Sequence, residues 1–366
     1  MFAFDVGLTI DLNAAGRTLR EATQRKAVRR PGRAPAPAWF EYEPAPLRVV
    51  RDAPPVDVGG VGGAGDARTE PFAECTVYDF GAISILYRLP IDAPLSALPA
   101  LSAALYGCET LLAEARAIAQ RLADGLGASV AKPTISPLVE DYAVFALREW
   151  TLPPGVDGLD ALVLACAPTL AQVLQGERSP LSPALAGEAV RSRLSFTPGD
   201  AALIDWNCAV LFDREPDDLL VVLEHANVEL LEMRVLDAQL DALLERARAV
   251  LAAESKRRHW PLGPSPRELQ NLAELQTDSS LMFEGVNNAL KLFGDQYLAR
   301  VYRLAAERLH LPNWDAAVLR KLATAESIHN KITGFRSAKR MEVLELVIVI
   351  LIAVSIVLPF LPFGAK

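Results

Sequence analysis

Through the first 213 residues apolar positions come in short runs, and beyond that point they settle into spacings of three and four. Phe2, Phe4, Val6 and Leu8 alternate with other residues, the period of a half-buried strand, and a helix is expected over residues 11–27. Short strand candidates follow at residues 39–42 and 47–50. Residues 74–89 read as a strand pair, or as one long strand bent at Gly81. Residues 94–125 carry Leu98, Leu101, Leu105, Leu112, Ile118 and Leu122 at helical spacing. Residues 142–150 read as strand, 158–174 as helix, and 202–212 as a strand entered by the turn Pro198-Gly199-Asp200. This mixture predicts an α+β domain over residues 71–213, a mixed or antiparallel sheet with packed helices. Residues 1–70 are expected to form an N-terminal strand, a helix and a Pro/Gly-rich linker.

From Pro216 the chain has no Gly or Pro until Pro261. Leu219, Leu223, Ala226, Leu230, Met233, Asp237, Leu240, Leu244, Ala247 and Leu251 mark a heptad seam interrupted only by Asp237, which is suited to fixing register. A second helix is expected over residues 266–310. Leu311-Pro312-Asn313 marks a stop, and a third helix follows from Trp314, with Gly334 its weakest point. Residues 214–340 therefore read as a long helical hairpin or coiled coil, packed within one chain or between chains.

Residues 346–363 (LVIVILIAVSIVLPFLPF) contain no charge. At about 1.5 Å per residue they span roughly 27 Å, close to the hydrocarbon thickness of a bilayer. The expectation is a C-terminal transmembrane helix, with residues 341–366 as a tail anchor. Lys331, Arg336, Lys339 and Arg340 precede the run and only Lys366 follows it, so the preceding residues are expected in the cytoplasm. The same cations suit anionic headgroups.

Composition narrows the function classes. A net charge of −8 argues against broad nucleic-acid binding, which needs cations to displace counterions. The four cysteines, Cys75, Cys108, Cys166 and Cys208, form no CxxC pair, and free buried thiols are expected. Arginines between residues 17 and 33 make a basic stretch, read as a solvated helix and linker. Gly60, Gly62 and Gly65 satisfy GxGxxG, but Pro54-Pro55 stands before them and no helical period follows, so a linker is expected. Glu307 with His310, and Glu326 with His329, have the spacing of di-iron ligands. About 16 residues of helix between the second pair and the turn would separate them by over 20 Å, so they read as solvated or interhelical polar residues. No catalytic, cofactor or metal constellation is expected. Lys256, Arg257 and Arg258, beside His259, offer an anion or partner contact at a helix end.

Three stretches carry a resemblance: Tyr78-Asp79-Phe80-Gly81, Asp205-Trp206, and the run to Tyr297 containing Phe293-Gly294-Asp295. Together with the terminal apolar run they resemble the required-for-meiotic-nuclear-division family, domain of unknown function 155, over about residues 70–360. The resemblance implies an integral membrane protein with no established enzymatic activity, a soluble α+β domain, long helices and homo-oligomers. Its mitochondrial relatives imply a link to translation, so the expected partners are the bilayer, further copies of the chain, and a cytoplasmic protein or the ribosome. The expected location is a bacterial inner membrane. The alternative is a membrane-surface enzyme using Asp79 or Asp205 in a cleft.

Overall fold

The computed structural model describes residues 1–23, 45–59, 67–256, 273–274, 277–281, 283 and 296–357. The chain divides into two units: Met1–Val235 with Met282–Asp315, and Leu236–Leu281 with Ala316–Lys366.

The first unit is α+β. Strands β1 (Phe2–Asp5), β3 (Leu47–Asp52), β4 (Phe72–Val77), β5 (Ala82–Tyr87) and β7 (Val139–Asp141) form an antiparallel sheet in the order β3-β4-β5-β1-β7. A small pair, β2 (Thr9–Ile10) with β6 (Val130–Ala131), flanks it. Strands β8 (Ala143–Leu147), β9 (Arg193–Leu194), β10 (Ala201–Ile204) and β11 (Cys208–Phe212) form a second sheet in the order β8-β11-β10-β9, with β8 parallel to β11.

Three cores follow from alternation along these strands. Helices α1 (Leu12–Thr23) and α3 (Glu109–Leu126) cover one face of the five-stranded sheet, enclosing Phe4, Ile83, Ile85, Ile118 and Leu122. Helices α2 (Leu98–Leu105), α4 (Leu159–Ala165), α5 (Ala167–Gln175) and α6 (Pro183–Arg191) cover the four-stranded sheet around Leu101, Leu170, Leu203 and Phe212. Its opposite face takes the start of α7 (Asp217–Lys256) and α8 (Gln296–Arg308), through Ile204, Leu211, Leu223 and Val301.

Several expectations need correction. Residues 94–125 are not one helix: the chain breaks between α2 and α3 at Gly107, whose φ of 70° favours glycine, and the two helices meet at 61°. Residues 202–212 are a hairpin rather than a strand, because Asp205, Trp206 and Asn207 make its turn. Residues 158–174 are two helices meeting at Cys166. The seam on α7 is no simple two-helix stripe near its start. Leu220, Val222, Val228 and Leu231 are buried alongside Leu219, Leu223 and Ala226, since sheets and α8 enclose the helix on several sides. The strand expected at residues 39–42, the glycines at 60, 62 and 65, and most of residues 266–295 of the helix expected over 266–310 lie outside the described residues.

In the second unit, the far part of α7 accompanies α9 (Leu311–Val357). Lys321 Nζ lies 2.7 Å from both Asp237 Oδ1 and Asp241 Oδ1, so the charge that interrupts the seam is met by a cation from the same chain. Helix α9 begins at Leu311 and passes Gly334 unbroken. Its 47 residues give a length of about 70 Å. Among the described residues no single helix is long and apolar enough to cross a membrane. Residues 358–366 of the expected anchor lie outside the described residues.

Candidate functional site

Alternation gives the five-stranded sheet two unlike faces. While Phe2, Phe4, Ile83, Ile85, Cys75 and Val77 point into a core, the other face carries one cross-strand row, Arg48–Thr76–Ser84–Ala3–Glu140. Helix α7 docks along it. At one end Arg48 lies 3.9 Å from Glu224. At the other, Glu140 pairs with Arg234, and its carbonyl accepts from Asn227 Nδ2 at 3.5 Å. The charges therefore alternate in sign between helix and sheet at the two ends, and reversing the helix would set like charges together. Ala3 and Ser84 at the centre are small enough for close approach.

The same stretch of α7 buries Glu224, His225, Asn227, Glu229 and Glu232. Residues 225, 229 and 232 share one helical face by their spacing. His225 lies between Tyr78 and Tyr302, with ring centroids at 6.0 and 6.4 Å. Tyr302 donates to Glu229 Oε2 at 2.5 Å. Burial pushes Glu229 up to about 8, and the Asp315 charge adds to this, against the hydrogen bond from Tyr302. Glu232 is raised well above the usual carboxylate range by burial, with Asp5 adding repulsion. Asp5 itself is pushed up to about 6 by burial, against the hydrogen bond from Gly7 N. Burial lowers His225 to about 4. At neutral pH Glu229 and His225 are therefore predominantly uncharged. Among the described residues no group of three or more His, Cys, Asp or Glu side chains is placed to hold a metal ion.

A cleft of about 690 Å³ opens elsewhere in this unit. Leu86–Ala93 line one wall as a continuous stretch, and residues 141–149 line the other. Leu98, Leu101 and Phe2 supply apolar surface. Arg88 and Arg148 lie at the rim, both turned to Asp217, at 3.7 and 3.8 Å.

The structure disperses the sequence candidates. Tyr78 is buried against His225, and Tyr78 and Phe80 stack at 5.2 Å. Asp79 sits in the β4–β5 turn, where its carbonyl accepts from Ile10 N at 2.7 Å. Gly81 has φ of 101°, and a Cβ there would stand 1.9 Å from Gly7 O. Asp205 holds its turn by accepting from Trp206 N at 2.8 Å and Gln175 Nε2 at 2.7 Å. Neither Asp79 nor Asp205 lines the cleft. Trp206 remains exposed, edge-on to Tyr106. Lys331 is exposed on α9, and Arg336, Lys339 and Arg340 follow on that helix. Lys256 ends α7, whereas Arg257, Arg258, Phe293, Gly294 and Asp295 lie outside the described residues. The polar row and the cleft were missed at the sequence level. The one available signal was the run of Glu and His inside an otherwise apolar stretch of α7.

Residues 1–218 match the family model described as uncharacterized protein MJ0711, N-terminal domain. A relative in Methanocaldococcus jannaschii, uncharacterized protein MJ0711, is 22% identical over 223 residues, covering 60% of this chain and 66% of the relative. The chain thus spans just under two thirds of that relative's length. No solved structure matches. These matches support a family of unknown function and do not carry the name of the meiotic-division family.

Proposed function

Because the chain belongs to the MJ0711 N-terminal-domain family, whose description names no activity, we propose from its own surfaces that it is a membrane-tethered adaptor. In this reading α9 enters a bilayer, the α+β unit faces the cytoplasm, and the long helices support self-association. The observation that carries it is the end of α9. Val347, Ile348, Val349, Ile350, Leu351 and Ile352 are each between 47% and 62% exposed. Six consecutive residues cover more than one helical turn, so the apolar surface runs all round the helix and leaves no polar face for water. A helix of that kind belongs in a protein core or in lipid. Lys331, Arg336, Lys339 and Arg340 lie just before it, where cations favour anionic headgroups and the cytoplasmic side. The bilayer is the first partner; a further copy of the chain and a cytoplasmic protein, with the ribosome suggested by resemblance, are the others.

The test is flotation with inner-membrane-like vesicles, followed by mass determination in mild detergent, for the chain with and without residues 341–366. The adaptor reading expects flotation of the full chain alone and the same oligomer for both forms. A full chain left at the bottom of the gradient refutes the tether, and a monomer in mild detergent refutes self-association.

A further inference from the structure

We infer that the cleft beside β8 is a slot for an extended peptide, gripped by strand addition to two open edges. One edge is β8. Ala143 N donates to Asn207 O, and Asp213 N donates to Leu147 O, so the odd-numbered residues of β8 bond toward β11. The backbone groups of Val144 and Ala146 therefore point the other way, off the sheet margin, along the wall of the cleft. The second edge is the end of β5. Glu70 N donates to Arg88 O on the β4 side, while Val6 N donates to Gly81 O on the β1 side. Odd-numbered residues of β5 thus face β1, but β1 stops opposite Ile85. Beyond it the backbone groups of Tyr87 and Leu89 face the cleft. Met1 and Tyr142 close this end by exchanging hydrogen bonds of 2.9 and 3.0 Å.

Composition distinguishes this margin from the others. Strand margins are ordinarily blunted with charge. In the two larger sheets β3 carries Arg48, Arg51 and Asp52, β7 carries Glu140 and Asp141, and β9 carries Arg193. Strand β8 (AVFAL) has no charge, and among the described residues it pairs on one side only. The occupant follows from the lining. Two backbone edges call for a backbone, and Phe2, Leu98, Leu101 and Phe145 call for apolar side chains at alternate positions. Glu70, Asp92, Asp141 and Glu149 line the cleft against Arg88 and Arg148, and both arginines already face Asp217. The partner is therefore an extended apolar segment flanked by Lys or Arg. This assignment rests on the adaptor reading for its purpose, naming what the presented unit holds, but its test is separate from the tether.

The probe is a pool of capped heptapeptides with Lys at both ends and Ala, Val, Ile or Leu between them. It is added to the full chain in nanodiscs, with empty nanodiscs as blank. Hydrogen exchange should slow at the amides of Val144, Ala146, Tyr87 and Leu89. The same pool N-methylated at alternate amides should bind about 100-fold more weakly, the effect of losing two to three net hydrogen bonds. Ala146→Pro, which removes an edge donor and spares the bonds to β11, should abolish protection. If that variant misfolds, the N-methylated pool on the unaltered chain decides. No protection at saturating peptide, or equal binding of both pools, overturns the inference. Either result leaves the adaptor reading standing if the chain floats.

Discussion

The protonation of Glu229 should give the α+β unit an inverted pH profile. Its carboxyl sits at about 8 in the folded protein against an ordinary 4.5. The folded state therefore binds the proton more tightly than the unfolded chain does. The associated stability is complete below about pH 4.5 and is lost as pH rises toward 8. Linkage gives about 1.4 kcal/mol per pH unit across that window, or on the order of 3 kcal/mol lost by pH 7. Asp5 works in the same direction up to about pH 6, and the raised Glu232 carboxyl adds to it, whereas His225 opposes it by losing stability as pH falls from 6.5 through about 4. Glu229→Gln keeps an acceptor for Tyr302 and cannot ionise. Thermal unfolding of both proteins in detergent should be recorded from pH 5 to pH 8. At pH 5 the variant should match or fall slightly below the parent. By pH 7 to 8 it should melt about 5 to 10 °C higher, the shift expected for such a difference in a unit of this size. Parallel profiles for the two proteins would refute the reasoning, because they would show that Glu229 titrates alike folded and unfolded.

Gly81→Ala should cost more than about 3 kcal/mol or prevent folding, since the new Cβ would collide with Gly7 O at a positive φ; the yield and melting point of the purified variant check this. Lys321→Ala should cost about 1 kcal/mol and speed hydrogen exchange around residues 237–245, with no change at β5. Replacing Arg336, Lys339 and Arg340 with Gln should weaken binding to anionic vesicles by about 1 kcal/mol per residue at low salt. Binding that is unchanged would place these residues away from the headgroups.

The sheets and the long helices could be read from the sequence because alternation and three-four spacing are local properties of the chain. The strands around Gly81 and the unbroken helix from residue 217 follow from those patterns alone. Residues 158–174 failed for a related reason. Two helices meeting at Cys166 keep the same periodicity, and only backbone geometry separates them. The polar row and the open edge of β8 are different in kind. Glu140 and Glu224 look like ordinary surface residues until the register sets Arg48, Ala3 and Ser84 in line beneath α7.

The heptad seam on α7 shows why the pattern misled. Leu219, Leu223 and Ala226 are buried as a seam predicts, but so are Glu224, His225, Asn227 and Glu229 between and beyond them. A coiled coil would leave such residues to solvent, and here they are enclosed because sheet, turn and α8 meet the helix from different sides. The cost of burying them is contained in two ways. Ion pairs hold the ends of the row, and acids whose burial favours the protonated form, Glu229 and Glu232, occupy the adjoining helical face. Apolar replacements would remove that cost but also the sign alternation that fixes which way α7 lies. The buried charges thus serve orientation rather than stability, and that is why a sequence pattern tuned to apolar burial passes over them.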